Sequence, residues 1–160
     1  MKTLKFFLMA FVAVALFSCE GPTTKTSFTL TYGDKEIANG DVIDVTMDHY
    51  EWGEMVAHVF LKNNGSASTF TVKEVRNYDF AKYKPAFCFK GNCVQANGEK
   101  EQLWEVGEID ANVEEDLAMH LFVIDQESAN CPGVFTVSNG TESIEFTLNF
   151  VYEKEAIPAE

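Results

Sequence analysis

Positive charge is scarce in this sequence. Twelve Lys and Arg stand against 25 Asp and Glu, for a formal net charge of −13. Nucleic acids and anionic membrane surfaces are held by clustered Lys and Arg, so neither is expected as a partner. Long apolar runs are missing too. The run Phe6–Phe17 is shorter than the about 20 residues that a transmembrane helix needs. No stretch after it carries a long amphipathic helical stripe, and no internal repeat or linker divides the chain. Catalytic signatures are equally thin. There is no G-x-S-x-G and no Ser/His/Asp set in a recognisable context. Cys-x-x-Cys and the D-x-[DN]-x-[DN]-G calcium loop are absent, and His49, His58 and His120 are dispersed without ligand spacing. Carboxylates abound, including Glu108, Asp110, Glu114, Glu115 and Asp116. In so acidic a chain such neighbours read as solvated faces. The expectation is no enzyme, no metal and no cofactor.

The composition that remains is that of a globular protein. Hydrophobic residues make up 46% and charged residues 23%, which excludes a largely disordered chain. The length of 160 residues suits one domain. Fourteen Phe are too many for a surface and imply a substantial core.

Residues 1–18 read as a targeting segment. Lys2 and Lys5 precede the apolar run, and Ser18 and Cys19 end it. Leu16-Phe17-Ser18-Cys19 resembles a bacterial lipobox, in which the signal is cut before a Cys that becomes lipidated. Cys19 is therefore the expected lipidation site. Several acyl chains on one residue suffice for stable anchoring, so the membrane partner is reached through Cys19. Residues 19–25 form the lipidated Cys and a polar tether, and Glu20–Lys25 spans at most about 20 Å. The folded part then sits close to a bilayer. The expected location is the bacterial outer membrane, on its periplasmic or its cell-surface face.

Period-2 alternation dominates the rest. Phe28, Leu30 and Tyr32 share one face of Ser27–Tyr32. Ile43, Val45 and Met47 do so in Val42–Met47. Ile144, Phe146, Leu148, Phe150 and Tyr152 form the longest such series. Gly33-Asp34 and Asn39-Gly40 are turn signals. Asn64-Gly65 predicts a hairpin joining Met55–Asn63 to Ser66–Val75, with Val59 opposite Phe70 and Ala57 opposite Val72. Asn139-Gly140 predicts another, with Phe135 opposite Ile144. Both pairs also form Asn-x-Ser/Thr sequons, and both are read as turns. Further strands are expected at Ala86–Phe89, Gln102–Val106 and Leu117–Ile124. The last is apolar on both faces apart from His120, which marks a central strand. His120 itself is expected to be half-buried and bonded to backbone. Glu114-Glu115-Asp116 offers at most one helical turn before it. Seven to nine short strands predict an all-β, immunoglobulin-like antiparallel β-sandwich over residues 26–153, with a frayed tail at 154–160.

With Cys19 assigned to lipid, Cys88, Cys93 and Cys131 remain. The span Cys88-Phe89-Lys90-Gly91-Asn92-Cys93 closes a short loop around a Gly-Asn turn. In an oxidising envelope this spacing favours a Cys88–Cys93 disulfide; a bridge from one of them to Cys131 is the alternative. Aromatic residues supply the candidate binding positions. Tyr50 and Trp52 flank Glu51, and Tyr78 and Tyr83 precede the cysteine loop. Such rings beside carboxylates can stack on sugars, or they can cap the open end of a core.

Taken together, Asn39-Gly40-Asp41, Leu61-Lys62-Asn63-Asn64, the Phe87–Cys93 segment and the final Phe146–Tyr152 strand give the chain a family likeness. It resembles the small immunoglobulin-like lipoproteins of Bacteroidetes-type envelopes, a family of unknown function. The resemblance covers most of residues 26–153. It implies a β-sandwich and carries no activity. Cys131 lies where some such proteins have another Cys before a late strand, and Phe87 stands where a second adjacent Cys can occur. The functional expectation is a lipid-anchored envelope protein with a noncatalytic binding or assembly role. Its partner would be a protein or a glycan, and a glycan-binding module using the loop aromatics is the alternative.

Overall fold

The computed structural model describes residues 26–46, 53–124 and 129–152. Met47, His49, Tyr50, Glu51 and Trp52 lie outside them, as do Cys19 and the tail after Tyr152. The described residues form eleven strands and no helix. In chain order these are β1 (Phe28–Tyr32), β2 (Lys35–Glu36), β3 (Val42–Thr46), β4 (Glu54–Asn63), β5 (Ser68–Arg76) and β6 (Tyr83–Phe89). They continue as β7 (Asn92–Gln95), β8 (Glu101–Ile109), β9 (Glu114–Val123), β10 (Ala129–Ser138) and β11 (Ser143–Tyr152). One sheet has the order β2-β1-β4-β9-β6-β7 and the other β3-β11-β10-β5-β8. All neighbours are antiparallel except β3 and β11, which run parallel. The chain is an all-β sandwich, as its alternation predicts.

The longer strands send every second side chain inward. Met55, Ala57, Val59 and Leu61 of β4, and Leu117, Met119 and Leu121 of β9, are buried on one side. Phe70 and Val72 of β5, and Phe146, Leu148 and Phe150 of β11, face them from the other sheet. Phe28 meets Phe70 edge-to-face with ring centroids 5.3 Å apart. Full burial of each such side chain contributes about 1.5–3 kcal/mol, so this interior is the main source of stability. β9 lies between β4 and β6, which confirms a central strand. Its first residues correct the helical-turn expectation: Glu114, Glu115 and Asp116 already pair with Lys62, Leu61 and Phe60 of β4.

Two turns also differ from their sequence reading. Asn64-Gly65 does not close a hairpin, because β4 and β5 belong to different sheets. Val59, Ala57, Phe70 and Val72 do share the core, but from opposite layers. The cause is Asn63, which is buried and staples the crossover. Its Nδ2 donates to the carbonyls of Ser66 (2.8 Å), Ile109 (2.9 Å) and Asp110 (3.3 Å), while its Oδ1 accepts from the Gly65 amide at 3.1 Å. The Asn139-Gly140 hairpin is present between β10 and β11, but its register pairs Phe135 with Phe146 and Val137 with Ile144. Asn139 Oδ1 accepts from the amides of both Thr141 and Glu142, which lengthens the loop to four residues. A shift of two keeps every side chain on its face.

The cysteine loop is a β-hairpin. Phe89 pairs with Asn92 and Cys88 with Cys93, so the turn is Lys90-Gly91 and not Gly91-Asn92. Both turn residues have positive φ, 49° and 77°, as a two-residue hairpin loop requires.

Candidate functional site

Cys88 and Cys93 form a disulfide across this hairpin, with their Cα atoms 4.0 Å apart. Cys131 is a free, buried thiol on β10, which removes the alternative bridge. Of the aromatic candidates, Tyr50 and Trp52 lie outside the described residues. Tyr78 and Tyr83 are placed together at one end of the sandwich. Their rings meet edge-to-face at 5.9 Å, and both pack against the core.

These tyrosines cover a buried polar group that sequence reading does not isolate. Glu74 and Arg76 occupy inward positions of β5, the same face as Phe70 and Val72. Their side chains are almost wholly shielded, and Arg76 Nη1 lies 3.8 Å from Glu74 Oε2. The Tyr78 hydroxyl donates to Glu74 Oε1 at 2.8 Å. Burial raises the Glu74 carboxyl above its ordinary range, against the pull of Arg76 and Tyr78. Burial also raises Tyr78, and the adjacent Glu74 charge adds to the rise. The Cys131 thiol is pushed up to about 11 by burial, partly offset by a hydrogen bond from Tyr83. The arrangement closes the end of the core. An open groove of about 440 Å³ lies against it, lined by Tyr78, Phe80, Glu99 and Lys100.

The outer face of the six-stranded sheet carries two histidine–carboxylate pairs. His58 Nδ1 is 2.7 Å from Asp116 Oδ2, and His120 Nδ1 is 2.6 Å from Glu54 Oε1. Glu54 and His58 are four residues apart on β4, and Asp116 and His120 four apart on β9. Antiparallel pairing turns this spacing into two reciprocal diagonal contacts. His120 is thus bonded to a carboxylate and not to backbone, because its even position points away from the core. The signal was present as Glu-x-x-x-His and Asp-x-x-x-His, but only β4–β9 pairing gives it meaning. Asp116 and Glu115 are each engaged, the latter with Lys90 at 2.8 Å. Among the described residues, one set of potential metal-ligand atoms converges: Cys88, Cys93 and His120.

Two open grooves flank the sandwich at its lateral edges. The larger, about 600 Å³, lies beside β2 and β3 and is rimmed by Asp34, Glu36, Asp41 and Asp44. The other, about 410 Å³, lies between edge strands β7 and β8. Phe87, Phe89, Val94, Leu103, Trp104 and Val106 line it. Val94 and Leu103 are each 56% exposed. Trp104 stacks on Phe87 with centroids 5.4 Å apart, and its indole N–H has no hydrogen-bond partner among the described residues. β8 is nine residues long and, among the described residues, pairs on one side only, with β5. By contrast β2 has two residues and β3 five. The β7–β8 groove therefore combines the longer free edge with an aromatic floor. Its apolar residues look like ordinary alternating strand positions in the sequence, so the pattern alone does not isolate a groove.

No protein-family model matches this chain, and no curated protein sequence matches it. Solved structures do. The chain is similar to the N-terminal domain of PorA, at 21% identity and a TM-score of 0.57, over 81% of this chain and 99% of that one. That likeness shows the fold, an all-β sandwich. A family 123 glycoside hydrolase from Clostridium perfringens matches at 10% identity and a TM-score of 0.48, over 83% of this chain and 28% of that one. BslA, a bacterial hydrophobin, matches at 13% identity and a TM-score of 0.41, over 82% and 98%. Neither of these two carries an argument about activity.

Proposed function

We propose that this protein is a noncatalytic binding domain, held at a bacterial outer membrane by lipid on Cys19, that takes up an extended segment of a partner protein along β8. The single observation that carries this reading is the β7–β8 groove. It sets exposed Val94 and Leu103 and the aromatic pair Phe87 and Trp104 beside a nine-residue strand whose outer edge is free among the described residues. A free edge satisfies the backbone of an added strand, and alternate side chains of that strand then enter apolar pockets.

Charge selects the partner. Glu101, Glu105 and Glu108 are exposed along β8, on a chain of net charge −13. A strand alternating apolar residues with Lys or Arg complements that edge, and an acidic strand is repelled. The glycan alternative is less well supported, since Tyr78 and Tyr83 pack into the end of the core. A noncatalytic role fits the groove, whose lining is mostly apolar and aromatic, with Asn92, Gln102 and Glu105 as its polar members. Both histidines of the outer face are instead bonded to carboxylates. The lipobox-like Leu16–Cys19 run and the short tether support the location, and leave either face of the membrane open.

The test is nuclear magnetic resonance titration of the purified chain with ten-residue peptides alternating Val or Phe with Lys, and with counterparts carrying Glu. The Lys peptides are expected to shift β8 and β7 amides and to slow exchange of the outward β8 amides. Leu103→Asp is expected to weaken binding at least tenfold with little change in melting temperature. Equal binding of both peptide sets, or shifts confined to the Tyr78 end, would reject the assignment.

A further inference from the structure

The Cys88–Cys93 hairpin has a neighbour that the groove does not use. β9 lies between β4 and β6, so His120 stands between Glu54 on one side and the cysteine pair on the other. The two sulfurs and a ring nitrogen of His120 lie within 4.8 Å of one another. His120 Nδ1 donates to Glu54 Oε1 at 2.6 Å. A carboxylate bound at one ring nitrogen fixes the tautomer, leaves the lone pair on the other and makes it a better ligand. Two sulfurs, one imidazole and a carboxylate behind it form the donor set of a zinc-type site.

We infer that reduction of the Cys88–Cys93 bond converts this cluster into a binding site for a thiophilic divalent cation of the zinc class. Cys88, Cys93 and His120 would be its ligands, and Glu54 would position the histidine. The proposal is independent of the groove. The reductant is a dithiol. Two protons and two electrons pass from its thiols to the cysteine sulfurs as their bond breaks, and its own sulfurs join in a disulfide. The cation then displaces two thiol protons to solvent, forms two metal–sulfur bonds and accepts the free lone pair of His120. A fourth position stays open to water.

Geometry favours this. Sulfurs in a tetrahedral zinc site lie about 3.8 Å apart, given bonds of about 2.3 Å. Cysteines directly opposite on an antiparallel pair span that distance by side-chain rotation, without moving the strands. Cys93 is exposed and His120 is half-buried, so a cation enters from solvent. A hollow of about 230 Å³ opens beside Cys88, lined also by Glu115, Asp116 and Lys90, with Lys90 paired to Glu115 at 2.8 Å. The metal would replace the disulfide as the clamp on the β6–β7 hairpin and would tie it to β9 as well.

The experiment uses the full chain carrying Cys19→Ser and Cys131→Ala, so that Cys88 and Cys93 are the only thiols. A phosphine reduces it and is removed, and Co2+ is titrated anaerobically. One equivalent is expected to bind, with a thiolate-to-cobalt charge-transfer band and the visible bands of tetrahedral cobalt, and Zn2+ is expected to bleach both. The oxidised chain should show neither band. Adding His120→Ala should weaken binding at least tenfold, and Glu54→Gln about tenfold, as carboxylates behind ligating histidines do. Zn2+ should raise the melting temperature of the reduced chain and leave that of the oxidised chain unchanged. Absence of a tetrahedral spectrum in the reduced chain, or an affinity indifferent to His120→Ala, would overturn the assignment. So would failure of Zn2+ to stabilise the reduced chain, whether or not reduction loosens the fold.

Discussion

Glu74 and Arg76 point the same way from β5 into the sandwich, and their charged groups meet 3.8 Å apart with both side chains shut off from water. Arg76 is the chain's single arginine. Among the described residues its guanidinium nitrogens make no hydrogen bond. A buried pair with such thin satisfaction is held by its surroundings, because breaking it leaves one charge alone in the core.

Removing one partner should therefore cost more than removing both. Arg76→Ala or Glu74→Ala is expected to lose about 3–5 kcal/mol, and the Glu74→Leu/Arg76→Met double variant much less. Urea unfolding of the four proteins measures this. The sign of the pH effect also follows. Burial raises the folded Glu74 value, so its contribution is full at low pH and declines as pH rises from the ordinary carboxylate range through the folded value. Glu74→Gln should flatten that decline. Equal losses in single and double variants would show that the pair is not coupled.

Asn63 should tolerate Ala better than Asp. Asn63→Ala deletes a donor to three carbonyls and is expected to cost at least about 2 kcal/mol. Asn63→Asp puts an acceptor against the same carbonyls and should cost more, increasingly so once the new carboxylate ionises. Thermal unfolding at pH 4 and pH 7 separates the two effects.

Cys131 should resist alkylation until the fold opens. Burial pushes its folded thiol up to about 11. The stability it contributes is complete below pH about 9 and is lost as pH rises through the folded value. Tyr78, raised in the same direction, adds to this alkaline loss. Iodoacetamide labelling of the native protein at pH 8 should leave Cys131 unmodified, with rapid labelling in urea. Cys131→Ala should soften the fall in melting temperature between pH 9 and pH 11. Fast native labelling at pH 8 would place the thiol at the surface.

Cys19→Ser should release the protein from membranes. The expectation rests on Leu16–Cys19 and the basic, apolar segment before it. Fractionation and mass measurement of the wild-type protein check it. A soluble, unacylated wild-type chain would remove the anchor from the proposed function.

Much of this architecture is legible in the chain itself. Alternation marks β1, β3 and β11 and assigns their inner faces, since an extended backbone alternates its side chains whatever it pairs with. The short Cys88–Cys93 spacing points to their bond because the partners are local. What alternation leaves open is the neighbour. Met55–Asn63 and Ser66–Val75 present matching apolar faces, and that match serves a hairpin and a sandwich equally well. The buried Asn63 side chain decides for the sandwich by bonding to Ser66 and to Ile109, 46 residues on. Glu54 and His120 are 66 residues apart and meet only because β4 lies beside β9. The groove depends on β7 and β8 being left as edges on the same side of the two sheets. A residue's face is a property of its own strand, fixed within two or three residues. Its partner is a property of strand order, which long-range burial selects and no local pattern encodes.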